Sequence, residues 1–320
     1  MPLLRALSRV VDLFWARTEI PGHSLYARLD RSHATARTLT RCYYAGLLLI
    51  AFWHMSLWNY YRGLRDIQPL WPVAWAASVP DRAATVVLLL FASGSLLAAV
   101  FPDRLLARCL AFAGCLEFFA FVYSFGTIRH VHHLLVLTTF VFIFLPRGPG
   151  DNDDAKKSYL RAFWGVQCCA LLTYSMSGLA KIVTGVWHLA TRQDGVLTPS
   201  AFARHVANAG FRFGVEPPLG DLAIRAGGLG LPFYLAVIYL ETCSLLVAFR
   251  PRLHRVWGAA LIMLHLAIGL TLNLFFLPSI FVLGVLLLAS PFSPESPESK
   301  WTARDLPLIG RLLAGSRPTA

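Results

Sequence analysis

A lysine near the end of a long apolar stretch is the residue best placed to do chemistry in this sequence. The stretch covers residues 159–182 and contains Lys181, with Gly178 and Ser177 three and four positions before it and Tyr174 seven before it. On a helix these residues share one face, so a notch of small residues and a phenol would lie beside the amine. Burial disfavours the charged form of an amine, which lets a lysine act as a base near neutral pH. The alternative is a lysine with a buried stem whose ammonium group reaches the membrane interface.

Several other ionisable side chains also fall within apolar stretches. They are His54, Glu117, Glu241 and His265, together with the histidines at 130, 132 and 133. Ionisable groups are rare in lipid and normally face the interior of a helix bundle, so our hypothesis is a shared polar cavity that opens to the outer face. His54 and Glu117 also fit ordinary packing roles, and Glu241 also fits a structural ion pair with Lys181.

Metal chemistry and disulfide chemistry have little support in the sequence. The run Arg129-His130-Val131-His132-His133 brings imidazoles together without a carboxylate or a cysteine beside them, so no metal site is expected. The six cysteines fall in or beside apolar stretches and form no CxxC or zinc-type pattern. They are interpreted as small buried apolar residues.

The composition is typical of a membrane protein with several spans. Of the 320 residues, 56% are apolar and 14% are charged, and the mean hydropathy is +0.57. The net charge of +12 and the pI near 9.8 fit basic cytoplasmic loops better than nucleic-acid binding. Membrane lipids are therefore expected partners, and nucleic acid is not.

The apolar stretches predict an all-α polytopic bundle of about eight transmembrane helices. With the N-terminus inside, 20 Lys and Arg residues fall on the cytoplasmic side and 8 on the outer side, which predicts that both termini are cytoplasmic. The predicted organisation is an N-terminal amphipathic and basic segment (1–38), a transmembrane domain (39–292) and a short cytoplasmic tail (293–320). The predicted spans cover residues 42–61, 83–101, 105–125, 127–146, 159–182, 231–249, 255–275 and 277–291.

The long connection 183–230 follows Lys181 directly and would lie on the outer face. It contains Trp187, a turn signal at 193–195 and a helix-start pattern at 198–202, so short helices are expected in it. Connections of this length are usually functional or mobile. Candidate substrate-binding residues are therefore Trp187, Tyr174 and Glu241.

Four segments together resemble the horizontally transferred transmembrane (HTTM) domain family, which includes the membrane module of vitamin K-dependent gamma-glutamyl carboxylase. The segments read SMSGLAKIVTGVW, RHVHHLLVLTTFVFIFLPRG, LPFYLAVIYLETCSLL and IMLHLAIGLTLNLFFLPSIFVLGVLLLASPF. The most specific of them is the small-Gly-x-x-Lys run that is followed by a tryptophan. The resemblance covers roughly residues 39–291, which is most of the chain.

The resemblance implies that Lys181 is a catalytic base that deprotonates a reduced quinone of the vitamin K or menaquinol type. It also implies that His132 and His265 are catalytic histidines and that Glu241 occupies a carboxylate position. In the carboxylase, oxygen then converts the quinol to an epoxide, and the strong base formed on the way lets carbon dioxide add to a glutamate. Two features depart from that pattern. Ala180 stands where the carboxylase has a second lysine, and only about thirty residues follow the last predicted span.

Three functions are therefore considered. The first is a quinol-linked enzyme of the carboxylase or epoxidase type, a lyase in a bacterial inner membrane. The second is a membrane factor that matures or exports a small secreted peptide, alone or with an accessory protein, because compact members of the resembled family are associated with maturation of a peptide toxin. The third is a membrane protein that binds a lipophilic molecule without chemistry, with Lys181 paired to Glu241.

Overall fold

A computed structural model describes residues 29–63, 67–126, 130–148, 152–193, 195–214, 216–293 and 301–309. These ranges contain helices and turns and no β-strand, which confirms the prediction of an all-α fold. A π-helix, Gly284–Leu288, extends the last α-helix. The α-helices are α1 (Leu29–Ser56), α2 (Trp58–Gly63), α3 (Pro80–Val100), α4 (Leu105–Tyr123), α5 (His133–Phe142), α6 (Asp153–Ala190), α7 (Ala201–Phe213), α8 (Gly220–Arg225), α9 (Gly230–Thr242), α10 (Ser244–Ala248), α11 (His254–Leu272) and α12 (Leu277–Leu283).

Four helical segments of the described chain are long and apolar enough to cross a membrane. They are Arg82–Val100, Leu105–Tyr123, Asp153–Ala190 and Pro251–Leu272. At 1.5 Å per residue, a helix of about 20 residues spans the roughly 30 Å hydrocarbon core of a bilayer. The chain is thus a helical membrane protein. Shorter apolar helical segments are His130–Phe142, Gly230–Thr242 and Leu277–Leu288.

Some helices end inside the predicted spans, at points where the backbone turns. Helix α9 ends at Thr242 and the chain resumes as α10 at Ser244, so the predicted span 231–249 consists of two helical pieces. Helix α11 ends at Leu272 because Asn273 adopts a left-handed conformation, with φ of 54°. Asparagine tolerates that conformation better than most residues, which makes it a frequent helix terminator.

The described residues belong to two compact units. The N-terminal unit comprises residues 33–170 and 276–286, and the C-terminal unit comprises the described parts of 1–32, 171–275 and 287–320. Helix α6 contributes residues to both units, which are described separately below.

In the N-terminal unit, α3 and α4 pack with their backbones in close contact. A Cβ atom on Gly94 would lie 2.6 Å from the carbonyl oxygen of Leu110, and one on Gly114 would lie 2.6 Å from the Cα atom of Phe91. Glycines allow this approach, as they do in other membrane helix pairs. The rings of Phe91 and Phe118 stack beside this contact with their centroids 5.4 Å apart.

In the C-terminal unit, the connection 183–230 contains α7 and α8, which confirms the prediction of short helices there. Both helices pack on the end of α11 through a small apolar core. Buried side chains from all three helices form its centre, and partly buried apolar side chains surround it. The centre consists of Val206, Ala223 and Leu272, and the surrounding residues are Phe202, Ala209, Ile268 and Leu274.

Candidate functional site

The candidate site in the C-terminal unit is an ion pair between α6 and α9. Lys181 Nζ lies 2.5 Å from Glu241 Oε2 and donates a second hydrogen bond, 2.9 Å long, to Ser177 Oγ one turn earlier. The Lys181 side chain is 28% exposed, whereas the Glu241 side chain is only 9% exposed. The carboxylate is therefore buried against its partner, while the lysine side chain stays partly exposed.

Gly178 is what allows α9 to come this close to α6. A Cβ atom on Gly178 would lie 2.5 Å from both the backbone nitrogen and the hydroxyl oxygen of Thr242, and 2.9 Å from Glu241 Cβ. The notch of small residues expected from the sequence thus exists, and the backbone of α9 fills it. Because that backbone carries Glu241, the close approach brings its carboxylate within reach of Lys181.

Ser175, one turn before Gly178 on α6, holds the junction between α9 and α10. Its hydroxyl group donates to the carbonyl oxygen of Thr242 over 2.9 Å and accepts a hydrogen bond from the backbone N–H of Leu245 over 2.8 Å. Backbone groups that the helix break leaves without intrahelical partners are satisfied in this way. The backbone directly after Glu241 is consequently held against α6.

A second hydrogen-bonded pair lies two turns from Lys181 on the same helix. The hydroxyl group of Tyr174 lies 2.6 Å from Nε2 of His265 on α11, and both side chains are buried. Seven residues correspond to about 10.5 Å along a helix, so two polar pairs follow one another on one face of α6. Tyr174, Lys181, Glu241 and His265 are thus brought together in one unit.

Trp187 points away from this face. Positions 181 and 187 differ by about 240° around a helix, so their side chains leave α6 in different directions. The indole is 65% exposed, as expected for a side chain that faces away from the helices packed on α6. Its role in substrate binding stays a prediction without geometric support.

His132 belongs to the N-terminal unit, where aromatic side chains surround it. Its imidazole stacks on Phe119 with centroids 4.1 Å apart, and its Nδ1 atom lies 2.9 Å from the hydroxyl group of Tyr123. The ring of His54 lies 6.0 Å away, and its Nδ1 atom lies 2.7 Å from the hydroxyl group of Tyr61. His54 thus has the packing role considered for it, and the shared cavity that would unite His132 with Lys181 stays a prediction.

His205 on α7 is a neighbour of the ion pair that the sequence analysis did not identify. Its pKa is lowered by partial burial and, to a smaller extent, by the positive charge of Lys181. His205 therefore lies within electrostatic range of the Lys181 charge. The only signal in the sequence was a histidine on a short amphipathic helix within a long connection, which does not specify a neighbour.

Comparison with protein-family models, with curated proteins and with solved structures found no match to the chain. Within the described ranges, no three His, Cys, Asp or Glu side chains are arranged so that they could hold a metal ion. The site is therefore characterised by its own geometry, a partly accessible Lys181–Glu241 ion pair followed along α6 by the buried Tyr174–His265 pair.

Proposed function

We propose that this protein is a membrane enzyme in which the Lys181–Glu241 pair removes a proton from a hydroxyl group of a lipophilic, quinol-type substrate. The observation that carries the proposal is the asymmetry of the pair, with a buried carboxylate and a partly exposed lysine side chain. A purely structural ion pair gains nothing from leaving one partner accessible, whereas a base must reach its substrate.

Together the two side chains can accept one proton. A proton passes from Lys181 Nζ to Glu241 Oε2 across their short hydrogen bond, and the neutral amine then accepts the proton of the substrate hydroxyl group. Afterwards Glu241 is neutral, and the Lys181 ammonium group faces the oxygen that lost its proton. The positive charge stabilises that oxygen in a site shielded from water.

The groups around Lys181 fit a quinol. Ser177 and Lys181 offer hydrogen bonds to one ring oxygen. The exposed apolar side chains of Met176, Leu179 and Val183 leave α6 about 160–220° from Lys181, on the opposite side of the helix, and take no part in this contact. When bound, a quinol would supply an acidic hydroxyl group and two electrons for later oxidation.

The buried Tyr174–His265 pair lies further along the same face of α6, with Ser177 and Gly178 between the two pairs. It is proposed to orient the reacting groups from that end of the face. His132 is proposed to contribute from its aromatic surroundings in the N-terminal unit, in line with the resemblance to carboxylases. A carboxylase- or epoxidase-type reaction belongs to this proposal.

The membrane arrangement proposed with this function has about eight spans, two cytoplasmic termini and a bacterial inner-membrane location. Support comes from the four long apolar helices and the three shorter ones. The apolar second half of α1 supplies a further span, and the excess of basic residues on alternate connections supports the orientation.

The experiment that tests the proposal measures oxygen-dependent quinol consumption by the full-length protein in detergent. Lys181→Met is expected to lower turnover by about 100-fold or more, the usual contribution of a general base. Lys157→Met, the same change near the start of α6, is the matched control and should retain turnover. Equal rates for both variants would contradict the assigned role of Lys181.

A second candidate function is favoured by the ion pair itself. A membrane protein that only binds a lipophilic molecule needs Lys181 and Glu241 solely to neutralise one another. Mass spectrometry of lipids that co-purify with the native chain and with the double variant Lys181→Met, Glu241→Gln is combined with the turnover assay to separate the two functions. A binder retains its ligand in both proteins and shows turnover in neither, whereas the enzyme retains its quinone in both and loses turnover in the double variant. Maturation or export of a small secreted peptide stays a prediction from the sequence.

A further inference from the structure

A second polar site lies in the N-terminal unit, around an arginine that plays no part in the function proposed above. The side chain of Arg108 on α4 is fully buried. Its Nη1 atom donates one long hydrogen bond, 3.5 Å, to the carbonyl oxygen of Pro146. Its Nε and Nη2 atoms have no hydrogen-bond partner among the described residues. A buried guanidinium group with unused donors is costly, and buried charges in proteins are normally paired.

The neighbouring polar groups leave the unused donors of Arg108 without an acceptor. Asp103, five residues earlier, interacts with Arg108 electrostatically, but its carboxylate is paired with Arg37 over 2.6 Å. The hydroxyl group of Tyr44 interacts electrostatically with Arg108, is buried, and is likewise without a hydrogen-bond partner in the described part of the chain. Tyr159, another electrostatic neighbour of Arg108, donates its hydroxyl proton to Thr40. Three donors, Nε and Nη2 of Arg108 and the hydroxyl group of Tyr44, therefore have no acceptor among the described residues.

The geometry of the unused donors specifies the missing partner. The Nε and Nη2 atoms carry the two N–H bonds that point in the same direction, and this fork matches two oxygen atoms of one phosphate or carboxylate group. The Tyr44 hydroxyl group adds a third donor. An oxyanion bound there would satisfy both side chains and neutralise the arginine.

The position of Arg108 along its helix favours a lipid as the source of the oxyanion. Helix α4 has 19 residues, about 28 Å, so its two ends lie near the two membrane interfaces. Arg108 belongs to its first turn, about 5 Å from the start. The exposed Arg104 precedes the same helix, and the loop that carries the exposed Arg147 contacts Asp103 through the backbone N–H of Gly148. Phosphate groups of anionic lipids lie just beyond this end of the helix, within reach of a long arginine side chain, and are attracted by basic residues.

We propose that Arg108 and Tyr44 bind the phosphate group of an anionic membrane lipid in the N-terminal unit. Binding leaves Arg37 and Asp103 paired and uses only donors that are otherwise unsatisfied. The bound lipid then acts as part of the fold, because an unpaired buried charge is removed whenever the site is filled.

The test uses the delipidated full-length protein in a neutral detergent and follows its Tm. The probes are dioleoyl phosphatidylglycerol, dioleoylglycerol, which lacks phosphate, and sodium phosphate. Phosphatidylglycerol is expected to raise the Tm of the native chain and dioleoylglycerol is not. An equal rise with sodium phosphate alone would support the site and identify free phosphate as its ligand.

Three variants locate the effect. Arg108→Gln is expected to weaken phosphatidylglycerol binding by about 10-fold or more, because it removes the charge-assisted hydrogen bonds to the phosphate group. Tyr44→Phe removes one hydroxyl group and should weaken phosphatidylglycerol binding by about fivefold. This variant tests the proposal if Arg108→Gln fails to fold. Arg82→Gln, at an exposed position near the start of α3, is the control and should bind like the native chain. If neither phosphatidylglycerol nor sodium phosphate raises the Tm of the native chain more than that of Tyr44→Phe, the proposal is overturned.

Discussion

Breaking the Lys181–Glu241 pair from each side should have unequal effects on the free energy of unfolding. In Lys181→Met, the carboxylate of Glu241 stays buried at 9% exposure with its strongest partner removed. Removing one member of a buried ion pair costs about 3–5 kcal/mol. The hydroxyl group of Ser177 remains beside the carboxylate, so a cost at the lower end of this range is expected, about 3 kcal/mol. In Glu241→Gln, the ammonium group keeps Ser177 and can turn toward solvent, so about 1–2 kcal/mol is expected.

The double variant Lys181→Met, Glu241→Gln decides whether the two effects share one cause. It leaves no buried charge, so its free energy of unfolding should lie within about 1 kcal/mol of that of the native chain. Independent effects would instead add to about 4–5 kcal/mol. Unfolding in detergent with rising denaturant measures all four proteins, and an additive result would refute the reasoning from burial.

A matched control lies near the start of the same helix. Lys157 Nζ and Asp154 Oδ1 are 3.9 Å apart, and the aspartate is 96% exposed. Exposed pairs contribute about 0–1 kcal/mol because water and salt screen them. The corresponding cycle with Lys157→Met and Asp154→Asn should therefore show a coupling energy below about 0.5 kcal/mol. A similar coupling at both positions would mean that burial is not what distinguishes the Lys181 pair.

Three further changes test the packing and electrostatics of the C-terminal unit. Gly178→Ala should destabilise the chain by about 1–3 kcal/mol because its methyl group meets the backbone of α9. The control is Gly165→Ala, whose methyl group meets no atom within 4 Å. It should be neutral or stabilising in the same unfolding assay. Tyr174→Phe removes the hydrogen bond to a buried histidine and should cost about 1–2 kcal/mol; no loss would mean that this bond contributes nothing net. Lys181→Met should raise the pKa of His205, followed by NMR titration, because a positive charge that lowers it is removed; an unchanged pKa would contradict their proximity.

The sequence predicted the face of α6 well because helical periodicity alone determines it. Ser177, Gly178 and Lys181 lie on one side of the helix, and Ser177 accepts a hydrogen bond from Lys181 as their spacing suggests. The notch of small residues at Gly178 was predicted, but the sequence did not show that the backbone of a second helix, α9, fills it. Periodicity shows which residues share a face and does not show what packs against that face.

The partners of this face come from distant parts of the chain. Tyr174 and His265 are separated by 91 positions, and their contact depends on how α11 packs on α6. The break between α9 and α10 is stabilised by the hydroxyl group of Ser175, a tertiary hydrogen bond that leaves no local signal. An apolar window therefore predicted one continuous span there. By contrast, the direction of Trp187 could have been deduced from its spacing to Lys181.

One departure from the resemblance to carboxylases is Ala180, which stands in place of a second lysine. The geometry of α6 shows what a lysine at that position could reach. Adjacent positions on a helix point about 100° apart, and Ala180 is exposed while Lys181 faces α9. A lysine at position 180 would therefore leave the helix away from Glu241 and could not replace or reinforce its contact with Lys181. The ion pair of Lys181 and Glu241 is complete without that residue, so the difference at position 180 affects only groups that approach α6 from its exposed side.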